Sequence, residues 1–412
     1  MTLKILAIVA VIFGFLLGSK IYIYWRLSRT SLVFSRYKKS LASALLLMFI
    51  CEVGFWIVAK DLRFHDISYG LLGFCVAVTY CLFVACLCVD MAVVCGRALS
   101  RGLKSRLLES SQVDSKGQAM LEPKAESKLD SRVPRLPSRR KLLKNLNDLS
   151  VFGLFFLFFF TSRNNALCTP KVRNVQIPLP KLKQQKRIAM ISDVHIGHIL
   201  KADFLERIVE RINALNADVI VIVGDLVDDD IAKVGKELGA LRELRSKEGV
   251  FYVNGNHEYY HGIVPIMEFM RSSGVRVLDN ESLELSGFNL AGVNDLAGLH
   301  FGEYMPDLAR ARQSLNASKP SILLAHQPKF ARLYDVGGFD LVLSGHTHAG
   351  QVFPMSIFVW LDQHYIHGLY QHTKDTKLYV SSGAGFWGPS FRFLAPSEIA
   401  CIDLVLESST IA

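Results

Sequence analysis

Cysteine is nearly missing from the half of the chain where reactive side chains gather. Eight cysteines occur in 412 residues, and only Cys401 lies beyond residue 190. A thiolate-ligated metal centre in that half is therefore excluded, and so is a disulfide framework holding it together. Cys51, Cys75, Cys81, Cys86, Cys88 and Cys95 fall within apolar stretches without ligand spacing and read as small hydrophobes. Cys168 and Cys401 are the one pair left for a bridge, and cysteine usage fixes no redox compartment.

The other half is poor in histidine and in acids. One of twelve histidines precedes residue 190, and that stretch holds 29 Lys+Arg against 10 Asp+Glu. After it the balance reverses to 18 against 27, so the chain's net charge of +10 belongs to its first half alone. A basic excess distributed among long apolar segments argues for membrane topology rather than nucleic-acid binding.

Spanning a bilayer takes roughly 20 largely apolar residues. Ile5 to Trp25, Leu41 to Ala59 and Ile67 to Cys95 meet that requirement, which gives three transmembrane helices within residues 1–96. Lys20, beside Tyr22, Tyr24 and Trp25, is expected to snorkel to the interface; a cleaved signal peptide is the alternative for this first segment. Residues 97–148 read as a basic, mostly unstructured cytoplasmic linker. A fourth span is expected over 149–168, around the short run Val151 to Phe160.

Loops one and three carry the positive excess, so the N-terminus and everything after a fourth span are expected outside the cytoplasmic membrane. Ser138 to Lys144 resembles a twin-arginine export signal, with Leu142 in place of the usual Phe, which makes the export machinery a partner candidate. Arg139 and Arg140 sit inside under this reading, as they do if the motif is only a basic patch.

From about Pro178 short β-branched runs alternate with helical patterns. Ile188 to Ile191, Val219 to Val223 and Gly249 to Val253 read as buried strands, and Phe204, Ile208, Ile212 and Leu215 recur at helical spacing. Further runs follow at Val275 to Leu278, Leu290 to Val293, Ile322 to Leu324, Leu341 to Leu343, Leu378 to Val380 and Ile399 to Leu406. Many strands with helices packed outside predict a layered α/β sandwich of mixed sheets.

Polar residues collect where these runs end: Asp193 and His195; then Gly224, Asp225 and Asp228; then Asn254 to Glu258; then His326; then Gly345, His346 and His348. Carboxylate, imidazole and amide oxygen donors suit borderline divalent cations such as Mn, Zn or Fe. The glycines before Asp225, Asn256 and His346 permit tight turns and close backbone approach. Any one of these groups alone is a weak signal. Five in order, each at a strand end, are a strong one.

The order D-x-H, G-D-x-x-D, G-N-H-E, a strand-end His and G-H-T-H resembles the calcineurin-like metallophosphoesterase family. The flanking S-D-V-H-I-G-H, G-N-H-E-Y-Y, S-G-H-T-H-A-G-Q and G-A-G-F-W-G-P are most similar to its bacterial membrane-associated, YkuE-like branch. The resemblance covers about residues 180 to 405 and implies a four-layer α/β/β/α sandwich, a catalytic domain over 169–412, and two divalent metal ions, with Mn favoured. It implies that Asp193, His195 and His348 hold one metal, that Asn256, His326 and His346 hold the other, and that Asp225 bridges them. Two cations sharing a hydroxide would attack the phosphate in line.

The same resemblance makes His257 the catalytic histidine and Asp228 the acid that orients it. His198, Tyr259 and Arg392 are candidate substrate contacts, with Tyr260 and His261 beside the motifs. The reading is a membrane-anchored phosphoesterase acting on a lipid- or envelope-related phosphate ester, with membrane lipid and no nucleic acid as partners. Its rivals are a UDP-acyl-sugar pyrophosphatase with a cytoplasmic active site and a non-catalytic membrane receptor.

Overall fold

A computed structural model describes residues 3–58, 66–114 and 139–407. The chain divides into two units, Met1–Trp56 with Cys75–Phe159, and Ile57–Phe74 with Phe160–Ala412. Helices α1 (Leu3–Thr30), α2 (Lys38–Val58), α3 (Asp66–Asp114) and α4 (Arg139–Leu167) account for the first unit and run into the second.

Three helical segments, Ala10–Thr30, Tyr69–Gly102 and Lys141–Leu167, are long and apolar enough to cross a membrane among the described residues. The short run around Val151 to Phe160 thus lies inside a 29-residue helix, because flanking Lys, Asn and Ser residues extend it without breaking it. Helix α3 likewise continues through Asp114, so the first part of the expected linker is helical. The Arg97 to Asp114 stretch contains one Gly and no Pro to stop it. Residues 115–138 lie outside the described residues, as do Ser138 of the export-like motif and Lys60, Asp61 and Arg63 of the second connection.

Lys20 does not snorkel. It is buried, pairs with the fully buried Glu52, and reaches Thr79 Oγ1 at 3.3 Å. One turn and a half further on, Arg26 donates to Asp90 at 2.8 Å and to Asn147 at 3.0 Å, while the Tyr22 hydroxyl donates to Asp90 at 2.6 Å. Opposite charges on different helices found each other, which the sequence could not show.

The second unit holds two six-stranded sheets. The first runs β1 (Lys171–Leu179), β12 (Glu398–Leu406), β2 (Lys186–Ile191), β3 (Val219–Val223), β4 (Val250–Val253) and β5 (Arg276–Val277). The second runs β10 (Gly368–Gln371), β11 (Lys377–Val380), β9 (Leu341–Ser344), β8 (Ser321–Leu324), β7 (Asn289–Gly292) and β6 (Glu281–Glu284).

β3 shows why the strands read as unbroken apolar runs. All five of its residues are buried, since helices cover one face and the other sheet covers the opposite one. Val219, Val221 and Val223 meet Ile322, Leu324, Leu341 and Leu343 between the sheets. Ile220 and Ile222 face outward against Phe204, Ile208 and Ile212 of α5 (Ala202–Asn213). On the far side Leu323, Val342 and Leu378 pack under Leu308, Phe330 and Phe339. Each fully buried aliphatic contributes about 1.5–3 kcal/mol. The four layers are those expected. Strands β2, β3 and β4 are mutually parallel, as are β8 and β9, so all five motif-bearing loops leave their sheets at C-terminal ends.

Candidate metal centre

The two C-terminal edges abut. A Cβ placed on Gly224 would lie 2.5 Å from His326 Nδ1, one on Gly255 would lie 2.2 Å from Asp225 Oδ1, and one on Gly345 would lie 2.5 Å from Asp193 Oδ2. Glycine at these three positions lets loops from different strands approach within a side chain's width. The polar residues themselves take the strained conformations: Asp193, His195, Asp225, His346 and His348 have φ of 55°, 54°, 52°, 70° and 49°. Left-handed backbone costs an ordinary residue about 1–2 kcal/mol, and its concentration at one spot marks a functional constraint.

Four overlapping acid and histidine groups result among the described residues, and two of them hold ligands that the resemblance implies. In one, Asp193, His195 and His348 present atoms within 4.8 Å of one another; in the other, Asp225, His326 and His346 do so. His195 Nε2 and His348 Nε2 stand 3.0 Å apart, and His348 Nε2 is 3.4 Å from Asp193 Oδ1. His195 Nδ1 donates to Asp228 Oδ1 at 2.9 Å, which leaves Nε2 turned toward His348. His326 donates from Nδ1 to the Val223 carbonyl at 2.8 Å and turns Nε2 toward Asp225 Oδ2 at 3.1 Å.

Burial and neighbouring histidines depress the His346 ring to about 3 and hold His348 well below its ordinary value. Both are neutral, as a ligand must be. Asp225 is driven well below the usual carboxylate range: burial opposes this, and His326 and His257 beside it overcome the burial.

Asn256 Oδ1, His326 Nε2 and His348 Nδ1 are buried without a hydrogen-bond partner among the described residues. Such atoms are expensive to leave unmet, and together with oxygen and imidazole donors of this kind they fit a divalent cation.

His257 sits on the rim. Its Nδ1 donates to Asp228 Oδ1 at 2.5 Å, leaving Nε2 4.0 Å from Asp225 Oδ2. One carboxylate oxygen of Asp228 therefore orients two imidazoles. Burial would lower the His257 pKa, but Asp228 and Asp225 outweigh it and lift it to about 10. The three acids after Val227 divide: Asp229 pairs with Lys233 at 3.1 Å, and Asp230 caps the next helical turn through Ala232 N at 2.9 Å.

Two substrate assignments need correction. Arg392 is fully buried and donates to the carbonyls of Ala395, Gly383, Gly385, His348 and Ser382. It knits the glycine-rich loop to a ligand loop and has no donor left for phosphate. Tyr259 is buried and donates to the Tyr304 carbonyl at 2.6 Å, so it is packing; Tyr260 is the neighbour that stays exposed, 5.4 Å from the His257 ring. His198 is held by Asp66 at 2.9 Å and stacks on Tyr69 at 4.8 Å. Cys168 and Cys401 are both free thiols.

One residue escaped sequence reasoning. Glu258 is fully buried and accepts from the backbone of Asp225 at 3.1 Å, Leu226 at 2.7 Å and Gly255 at 2.7 Å. It clamps the Asp225 loop to the Asn256 loop. An acid after a ligand motif gives no sign of pointing inward, away from the chemistry.

A four-layer sandwich whose strand ends assemble two acid and histidine donor groups is the frame of a metal-dependent phosphoric ester hydrolase. Residues 186–350 match the calcineurin-like phosphoesterase family. An uncharacterized metallophosphoesterase of Campylobacter jejuni is 39% identical over 398 residues, covering 96% of this chain and 97% of that protein. The chain belongs to the calcineurin-like phosphoesterase family. It is also 35% identical over 271 residues to a zebrafish (Danio rerio) transmembrane protein with a metallophosphoesterase domain, covering 62% of this chain and 60% of that one. The Bacillus subtilis metallophosphoesterase YkuE is 30% identical over 227 residues, covering 53% and 78%.

Proposed function

We propose that the protein is a membrane-anchored, two-metal phosphoesterase acting on a phosphate ester of the membrane or envelope, with its catalytic domain on the outer face. Asp193, His195 and His348 would hold one cation and Asn256, His326 and His346 the other, with Asp225 placed between the two groups. Manganese is the favoured metal, with zinc and iron suited to the same carboxylate and imidazole donors. The cations would supply Lewis acidity toward phosphoryl oxygens and acidify water.

The protein's own groups do the rest. Asp228 fixes His257 with its Nε2 turned to the donor groups, where it donates a proton to the leaving oxygen. Glu258 keeps the Asp225 and Asn256 loops in register. The outer-face placement draws support from the basic first and third loops and from the continuous helix α4.

The observation that carries this reading is the pair of donor groups with orphaned atoms at one strand-end edge. The test is a panel of phosphomonoesters, diesters and pyrophosphates with the purified full chain in detergent, with and without Mn. Metal-dependent hydrolysis is expected, and its absence across the panel would overturn the reading.

A further inference from the structure

The helix Met355–Gln363 begins seven residues after His348 and is covered by little of its own unit. Phe353, Met355, Ile357, Phe358, Trp360 and Leu361 are all 43% exposed or more, and Gln363 is the helix's only buried residue. Its one acid, Asp362, is paired with Lys329 at 2.9 Å, so the face carries no uncompensated charge. Exposing several bulky apolar side chains in sequence to water is not what a free surface does.

The helix is anchored to the site. Gln363 accepts from the backbone of Lys329 at 3.2 Å and donates to Gln327 at 3.4 Å, beside His326. At its other end Gln351 exchanges two hydrogen bonds with the backbone of Trp387, at 2.8 and 3.1 Å. Trp387 is exposed as well.

The neighbouring residue identifies the occupant. Tyr69 donates to the Gly388 carbonyl at 3.4 Å and stacks on His198, and Tyr69 is also the first residue of a segment long and apolar enough to cross a membrane. The rim therefore continues, residue by residue, into a candidate span: helix 355–363, Gln351, Trp387, Gly388, Tyr69. A chain that enters the bilayer at one end of this rim brings lipid to it.

We propose that the 355–363 helix is an interfacial membrane helix that seats the metal centre on the bilayer surface, and that the substrates are lipid-borne phosphate esters hydrolysed without leaving the membrane. The substrate part rests on the phosphoesterase reading above. Tryptophan, phenylalanine and aliphatic side chains insert at the headgroup boundary, while the ester phosphate stays at the level of the metals. Residues 191–412 are net acidic, so apolar insertion, not attraction to anionic lipid, provides the docking.

The test uses the full chain in phosphatidylcholine vesicles, made with and without brominated acyl chains, comparing wild type with Trp360→Phe. Bromine is expected to quench a fluorescence component that Trp360→Phe lacks, equally with and without added phosphatidylglycerol. Absence of that component, as when a second copy or another protein covers the helix, would overturn the docking whether or not the protein is an enzyme.

The second arm uses Ile357→Ser/Phe358→Ser. Its rates are measured on long-chain phosphatidic acid and phosphatidylglycerol in vesicles and on their short-chain soluble analogues. A fall of about tenfold or more in kcat/KM on the vesicle lipids, with the soluble esters unchanged, is expected. An equal fall on both would make the helix a mere support of the fold and overturn the proposal. No hydrolysis of any ester by wild type would instead defeat the phosphoesterase reading, with the quenching result still standing.

Discussion

In the helical unit Lys20 faces Glu52 and Arg26 faces Asp90, while at the sheet edges acids and histidines from five loops are gathered in one buried place. Both places bury groups that water would otherwise solvate, and both must compensate for it. The bundle compensates from within, pairing charges across helices, which fixes which helix faces which. The sheet edge crowds its groups onto one spot instead: Asp225 Oδ2 lies 3.1 Å from His326 Nε2, and His195 Nε2 lies 3.0 Å from His348 Nε2. The first arrangement pairs opposite charges with each other, though Arg26 Nη1 and Glu52 Oε1 keep no hydrogen-bond partner among the described residues; the second gathers acids and imidazoles of the kind that hold a divalent cation.

Removing charge from the edge has the largest expected effect. Asp225→Asn should lower kcat/KM by about three orders of magnitude, since several kcal/mol of transition-state stabilisation depend on the metals. Bound metal, measured on the purified chain, should fall with it while helical content holds. Full activity in this variant would break the comparison at its catalytic side.

The bundle should respond in the opposite currency. Glu52→Leu strands Lys20 in an apolar interior and should cost about 3–5 kcal/mol, whereas Lys20→Met combined with Glu52→Leu should recover most of it. Thermal unfolding in detergent reads both, and the metal content of the folded fraction should not change. A double variant no more stable than the single one would mean that the pair is not a self-contained unit.

Asp228→Asn separates holding from acting. The carboxylate orients His195, proposed as a ligand, and His257, proposed as the proton donor. Loss of such an orienting partner should reduce metal affinity and turnover by about 10–100-fold. Added Mn should restore only the affinity. Complete rescue by metal would show that His257 needs no orienting.

Legibility in the sequence followed the physics of each element. β3 announced itself because a strand covered on both faces must be apolar throughout, and the ligand motifs stood out because they interrupt such runs. β1 exposes Lys171, Arg173, Asn174 and Gln176, and only Val175, Ile177 and Leu179 alternate toward the core, a pattern too short to stand out in the sequence. Partners distant in sequence were invisible: Lys20 finding Glu52, Arg392 finding five carbonyls, and Glu258 turning inward all depend on folding. The left-handed backbone at Asp193 and His195 was equally hidden, because no glycine marks it.

The smallest expected effect concerns the boundary between the two regions. Asp66 opens α3 yet belongs to the catalytic unit, where it meets His198 and Lys201 at 2.9 Å each. Burial would raise its pKa, but Lys201 and His198 more than reverse this and hold the carboxyl below its ordinary value. A depressed carboxylate adds stability that is present above the unfolded-state pKa of about 3.9 and is lost as the pH falls through the lower folded value. The carboxylate is half exposed, so the contribution is only a few tenths of a kcal/mol. Amide-exchange protection factors over residues 196–201 should therefore decline slightly below about pH 4 in wild type and show no such step in Asp66→Asn. A step that survives the substitution would show that another group titrates there and that the Asp66–His198 contact is incidental to how the site is held.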